Sequence, residues 1–213
     1  MKARKILVSL AALALVAAIS IGGTLAYLTS HDEVKNTFTV GQVKITLDEA
    51  KIGADGKAIT GEGADRVKAN SYKLMPGHEY DKDPTVTVKA GSEESYVRML
   101  VTVAFGKQLT DGQLATKLDN IFVGYSQNWV RNAKDVKVVD SKTVITYEYR
   151  YNTTVSAGTD DNKLPALFTG IEVPGEWTNE QLAAIGGFTI DIVAQAIQKD
   201  GFTTADAAWA EFK

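Results

Sequence analysis

The dominant pattern along the chain is alternation with a period of two. Val97, Met99, Val101, Val103 and Phe105 all fall on one side of a single run. Ile145, Tyr147, Tyr149 and Tyr151 do the same, with Thr146, Glu148 and Arg150 on the opposite side. Phe188, Ile190, Ile192, Ala194 and Ala196 form a third such row, and Val86, Val88 and Ala90 a shorter one. Alternation of this kind marks strands with one buried face. Weaker strand signals lie at Ile121–Val123, from Trp129 to Val138, and from Leu167 to Val173. Pro84 has no N–H to give to a ladder, so it should begin a strand or lie on an edge. Turn residues punctuate these runs at Asp55-Gly56, Pro76-Gly77, Gly91-Ser92, Asp140-Ser141, Pro174-Gly175 and Asp200-Gly201.

Helical signals are few and short. Thr110 with Gln113, and Thr178 with Gln181, have the spacing of capping boxes. They predict helices over 111–119 and from Thr178 to about Ile185, where Gly186-Gly187 stops the second. Thr204 to Phe212 reads as a terminal helix with Trp209 docked. Helices do not alternate with strands, which argues against a parallel sheet. The expected fold is all-β: roughly eight to ten strands in a two-sheet antiparallel β-sandwich.

The N-terminus has a different pattern. Lys2, Arg4 and Lys5 precede an unbroken apolar or small stretch from Ile6 to Ile21. Gly22-Gly23 then breaks it, and Thr24-Leu25-Ala26 places small residues where a signal peptidase reads. This order is that of a secretory signal peptide, cut between Ala26 and Tyr27. The alternative is an uncleaved anchor, which would be the chain's one tie to a membrane. The run is shorter than the roughly 20 residues a spanning helix needs. Beyond the cut, Phe38 and Val40 alternate with polar neighbours, the parity shifts at Gly41, and Val43, Ile45 and Leu47 resume it. A bulge at Gly41 would restore the register. The expected division is therefore signal peptide 1–26, an N-terminal segment 27–47 carrying this strand, and the sandwich 48–213.

Composition narrows the function classes. The chain has 213 residues, 45% hydrophobic, with no cysteine. An exported protein without disulfides must rely on its core or on assembly. Thiol catalysis and cysteine metal sites are excluded. Loss of Met1–Ala26 removes three of the 23 basic residues and none of the 26 acidic ones, leaving a balance of −6. That disfavours nucleic acid and anionic lipid as partners.

The block GTLAYLTSHDEVKNTFTVGQVKITL, from Gly23 to Leu47, resembles the start of TasA/camelysin-type proteins of Gram-positive bacteria. Leu74-Met75-Pro76-Gly77, the run Lys82 to Val88, the strand from Phe188 to Ile197 and the turn Asp200-Gly201-Phe202 are similar to later blocks of that family. Residues 107–180 show no such likeness. The resemblance implies processing by a SipW-type signal peptidase and a jelly-roll-like sandwich. It also implies a secreted biofilm-matrix protein, in the extracellular matrix or at the cell surface, that forms fibres with copies of itself, with an accessory matrix protein as a further partner.

The physical route to such fibres is strand donation. A strand beside a freshly cut terminus is tethered on one side only, and a neighbour's sheet edge can accept it. Head-to-tail contacts of this kind do not close. Phe38, Val40, Val43, Ile45 and Leu47 are the candidate contact residues; the bland alternative is that they pair within their own domain.

Two other functions compete with this reading. A camelysin-type metallopeptidase would draw on His78-Glu79, but the mechanism needs two histidines one helical turn apart, and Tyr80-Asp81-Lys82 follows instead. His31 is the chain's other histidine. No G-x-S-x-G elbow and no phosphate-binding glycine loop is present, so no catalytic, cofactor or metal residue is assigned. Asp55, Glu62 and Asp65 lack the ladder of a calcium loop and read as solvated. A monomeric adhesin or glycan-binding sandwich would use the face of Tyr147, Tyr149 and Tyr151, although such rows more often pack a core.

Overall fold

The computed structural model describes residues 41–62, 64–110, 121–184 and 186–212. The expected signal peptide and cleavage site, His31, Phe38, Val40 and the helix expected over 111–119 lie outside these residues. In chain order the elements are β1 (Ile45–Ala50), β2 (Arg66–Val67), β3 (Glu79–Asp81), β4 (Thr85–Val88), β5 (Ser95–Phe105), β6 (Phe122–Val123) and β7 (Trp129–Val139). They continue as β8 (Lys142–Tyr151), β9 (Asn162–Lys163), β10 (Gly170–Glu172), α1 (Asn179–Ala184), β11 (Phe188–Gln198) and α2 (Ala205–Glu211).

The fold is an all-β antiparallel sandwich. One layer is a single sheet of long strands in the order β11-β5-β8-β7. It contains the rows with the strongest alternation: Val97, Met99, Val101, Val103 and Phe105 are each at most 2% exposed, and Ile145, Tyr147 and Tyr149 lie beside them. The β7–β8 hairpin turns at Asp140 and Ser141, with φ of 49° and 59°. Positive φ at both central residues is the geometry that matches the twist of two antiparallel strands.

The facing layer is not the one sheet expected. It consists of two short ones, β2-β1-β4-β9 and β3-β10-β6. The reason is visible between β3 and β4. Lys82–Pro84 interrupts the ladder, because Pro84 has no N–H and Asp83 turns its carboxylate to the Ala50 N–H at 2.6 Å. The partner line breaks in step: Leu167 donates its N–H to Pro84 O at 3.0 Å, and Lys82 donates its own to Thr169 O at 3.1 Å. Leu167 and Phe168, expected in a strand, are fully buried in this break.

The core lies between the layers. Phe122 stacks on Phe168, with centroids 4.6 Å apart, and meets Tyr147 edge-on at 6.4 Å. Part of the outer face of the long sheet, around Arg98, is covered by α2. Its cap is Thr204, whose hydroxyl accepts from Ala207 N–H at 3.2 Å. Helix α1 carries the expected capping box: Thr178 N–H donates to Gln181 Oε1 at 2.9 Å and Gln181 N–H to Thr178 Oγ1 at 3.2 Å.

The compact unit starts at Gly41, not at Asp48. Ile45 pairs with Val88 and Leu47 with Val86, so these residues belong to the sandwich. The pairing follows from their alternation, which faces the fully buried Val86 and Val88. Gly41 lies before β1, and the strand half expected at Phe38 and Val40, which the bulge would join to it, lies outside the described residues. The approach is tied by Glu93 N–H to Gln42 O at 3.0 Å and Lys89 N–H to Lys44 O at 2.8 Å.

Candidate functional site

Strand β11 has the same alternation as β5, yet its inward residues stay half-buried. Phe188, Ile190, Ile192, Ala194 and Ala196 pack against the core without being enclosed by it. The cause is position. Strand β11 is the last of its sheet among the described residues, and in the facing layer only the two-residue β2 lies beyond β1. Among the described residues, β11 pairs only with β5. Strand β1 pairs with β4 along Ile45–Asp48, while β2 covers its other side only at Glu49 and Ala50. Strand β11 therefore has no strand on its far side among the described residues, and β1 beside the same opening is only partly filled, Leu47 O accepting from Lys68 Nζ.

That opening is a groove of about 680 Å³ along Phe188–Val193, closed on its far side by Leu47–Glu49, Asn70, Tyr72 and Lys82. It has an apolar wall and a polar end. The wall is Leu47, Leu74, Ile171, Phe188, Ile190 and Ile192. At the polar end Lys82 Nζ donates to Glu49 Oε2, and both side chains are under 9% exposed. Asn70 Nδ2 donates to Glu49 Oε1 at 2.9 Å and to Ala50 O at 2.8 Å. Ile52 N–H donates to Asn70 Oδ1 at 3.1 Å. Tyr72 closes the cluster, its ring centroid 5.6 Å from Lys82 Nζ and its hydroxyl donating to Asp81 O at 3.2 Å. Burial pushes the Tyr72 phenol above its ordinary range, and the Glu49 charge adds to this.

A second network supports the rim. Arg66 Nε donates to Asp48 Oδ1, and Nη1 to Asp83 Oδ2 at 2.8 Å. Burial works against the Arg66 charge, but the bonds to Asp83 and Asp48 overcome it and hold its pKa above the usual value. The forked guanidinium thus joins β1 to the break before β4.

The candidate residues read from sequence divide accordingly. Ala26, Tyr27, Phe38 and Val40 lie outside the described residues. Val43 is half-buried just ahead of β1. Ile45 and Leu47 are in β1, where Leu47 forms part of the groove wall. The tyrosine row is packing: Tyr147 is 1% and Tyr149 3% exposed, and only Tyr151 stays half-buried. His78 is exposed, its Nδ1 3.1 Å from Pro76 O. Among the described residues no group of three or more His, Asp or Glu is placed to hold a metal ion.

Glu49, Asn70, Tyr72 and Lys82 drew no attention in the sequence. Asn70 is 21 residues from Glu49 along the chain, and Lys82 is 33 residues from it. No local spacing signals such a cluster; an Asn, a Lys and a Glu flanking short strands were the only trace. Among the described residues no helix is long and apolar enough to cross a membrane. Compared with known proteins, the chain matches no family model, no curated protein and no solved structure.

Proposed function

We propose that this is an exported structural subunit that assembles head-to-tail into extracellular or cell-surface fibres by strand donation. The observation that carries this reading is the groove between β1 and β11. It offers two strand edges and a half-buried apolar wall to an incoming strand, the geometry of β-augmentation. The donor in this reading is the segment before Gly41, with Phe38 and Val40 as its apolar contacts. Val43, Ile45 and Leu47 change role: because β1 is paired at home, Ile45 and Leu47 help to form the acceptor. The signal peptide supplies export and a free terminus, and the lack of cysteine fits a protein that gains strength from assembly. The resemblance to TasA/camelysin-type proteins supports the same reading and brings with it a jelly-roll winding, a SipW-type peptidase and a biofilm matrix.

Negative-stain electron microscopy of Tyr27–Lys213 beside Gly41–Lys213 tests this. The shorter form must begin at Gly41, since starting at Asp48 would cut Ile45–Leu47 out of a sheet. Fibres from the longer form and monomers from the shorter are the expected outcome. Two monomeric samples would overturn self-assembly.

A further inference from the structure

The polar end of the groove combines a primary amine, a carboxamide and a carboxylate that touches both. Glu49 accepts Lys82 Nζ on one oxygen and Asn70 Nδ2 on the other. Glu49 and Lys82 are buried at the end of the groove, with the Tyr72 ring beside Lys82 Nζ. The geometry points to an internal isopeptide crosslink, formed by the protein itself, between Lys82 Nζ and Asn70 Cγ.

Each group is placed for one part of that reaction. Glu49 takes a proton from the Lys82 ammonium, which frees the nitrogen lone pair to attack Asn70 Cγ. Asn70 Oδ1 already receives the Ile52 N–H, so the charge that develops on this oxygen meets a fixed donor. The Cγ–Nδ2 bond then breaks. The second proton of the attacking nitrogen reaches Nδ2 through the Glu49 carboxyl, and ammonia leaves. The ammonium, the carboxylate and the carboxamide become a secondary amide, a neutral Glu49 carboxylic acid and ammonia. Atoms and charge balance, and no oxidant or cofactor is required.

The reaction has a driving force specific to this place. A buried ion pair carries a desolvation penalty that its attraction only partly offsets. The crosslink removes both charges from the interior, and escape of ammonia along the groove makes it irreversible. It would also fasten the loop after β2 to the break before β4 in a chain without cysteine.

Intact-mass measurement of the denatured full chain is the test. The expected mass is one ammonia below that of the sequence, or of the processed chain. Trypsin should release a branched peptide joining Ala69–Lys73 to Leu74–Lys89, with Lys82 uncut. Lys82→Arg and Glu49→Gln should each restore the full mass in folded protein. Glu49→Gln keeps the size but can accept from only one of the two donors and cannot carry the proton. A full wild-type mass with Lys82 cleavable by trypsin would overturn the crosslink. So would an ammonia loss that persists in Lys82→Arg, because this would mark cyclisation of Asn70 onto its own backbone.

Discussion

The guanidinium of Arg98 lies over the indole of Trp209, with Cζ 4.2 Å from the ring centroid. Arg98 projects from the outer face of β5 and bonds Gln195 of β11 through Nε at 2.7 Å. Trp209 comes from α2, so one cation–π contact fastens the terminal helix over the sheet. Trp209 is 7% exposed, and Phe212 packs beside it with centroids 5.6 Å apart. Trp209→Ala should therefore cost about 3 kcal/mol of unfolding free energy, at the lower end for a large aromatic truncation. Urea titration followed by circular dichroism measures it.

Gly56 stands where no side chain fits. Its φ is +77°, and an added Cβ would lie 2.4 Å from the ring of Tyr80, itself 4% exposed. Tyr80 in turn bonds Lys73 O at 2.7 Å through its hydroxyl. Gly56→Ala should destabilise the fold by about 2 kcal/mol or more from left-handed strain, with the ring displacement added. A lowered thermal midpoint without a change in secondary structure is the expected signature.

Tyr125 sets an alkaline limit on stability. Its ring is 41% exposed, but its hydroxyl turns inward to Tyr149, 2.9 Å away. Burial and then the Tyr149 bond raise its pKa well above the ordinary tyrosine value. A raised pKa means that the folded state keeps a proton the unfolded state gives up. The contribution is complete below about pH 10, the unfolded value, and is lost as pH climbs through the folded one. Between about pH 10 and pH 12 the decline in stability should be shallower in Tyr125→Phe than in the wild type, as read by urea midpoints at each pH.

Among the described residues β7 is an edge strand, and it carries charged side chains. Val130, Val136, Val138 and Val139 are each roughly half exposed along it, interleaved with Arg131, Lys134 and Lys137. Asp135 and Lys137 pair at 2.5 Å on the outward face. Charged residues on an edge oppose pairing with a second chain. Lys137→Val should produce time-dependent aggregation, visible by light scattering, with unchanged secondary structure at early times.

Val193 gives a mild way to challenge the proposed assembly. It is 52% exposed on the rim of the groove, so Val193→Asp should leave the fold intact. A carboxylate there would be buried without a partner by an incoming strand, which is costly. Fibre formation by Tyr27–Lys213 should fall sharply. Fibres at the wild-type rate would place the acceptor edge elsewhere.

What the sequence determined by itself is local in origin. Strands β5, β8 and β11 follow from alternation, because a residue's face in a strand is set by parity alone. The α1 capping box and the turns at Gly56 and at Asp140–Ser141 follow from local backbone and side-chain chemistry in the same way. Tertiary structure decided what depends on where a sheet ends. Val101 and Ile192 occupy equivalent places in similar patterns and pair directly across the sheet, yet one is enclosed and the other opens onto a groove. The difference is that β5 has a strand on either side and β11, among the described residues, has one on a single side. The same holds for Glu49, Asn70 and Lys82, which meet only because Pro84 breaks a ladder and β2 covers a single end of β1. Periodicity records which way a side chain points. It does not record what stands opposite, and both the groove and the Lys82–Glu49–Asn70 cluster depend on what stands opposite.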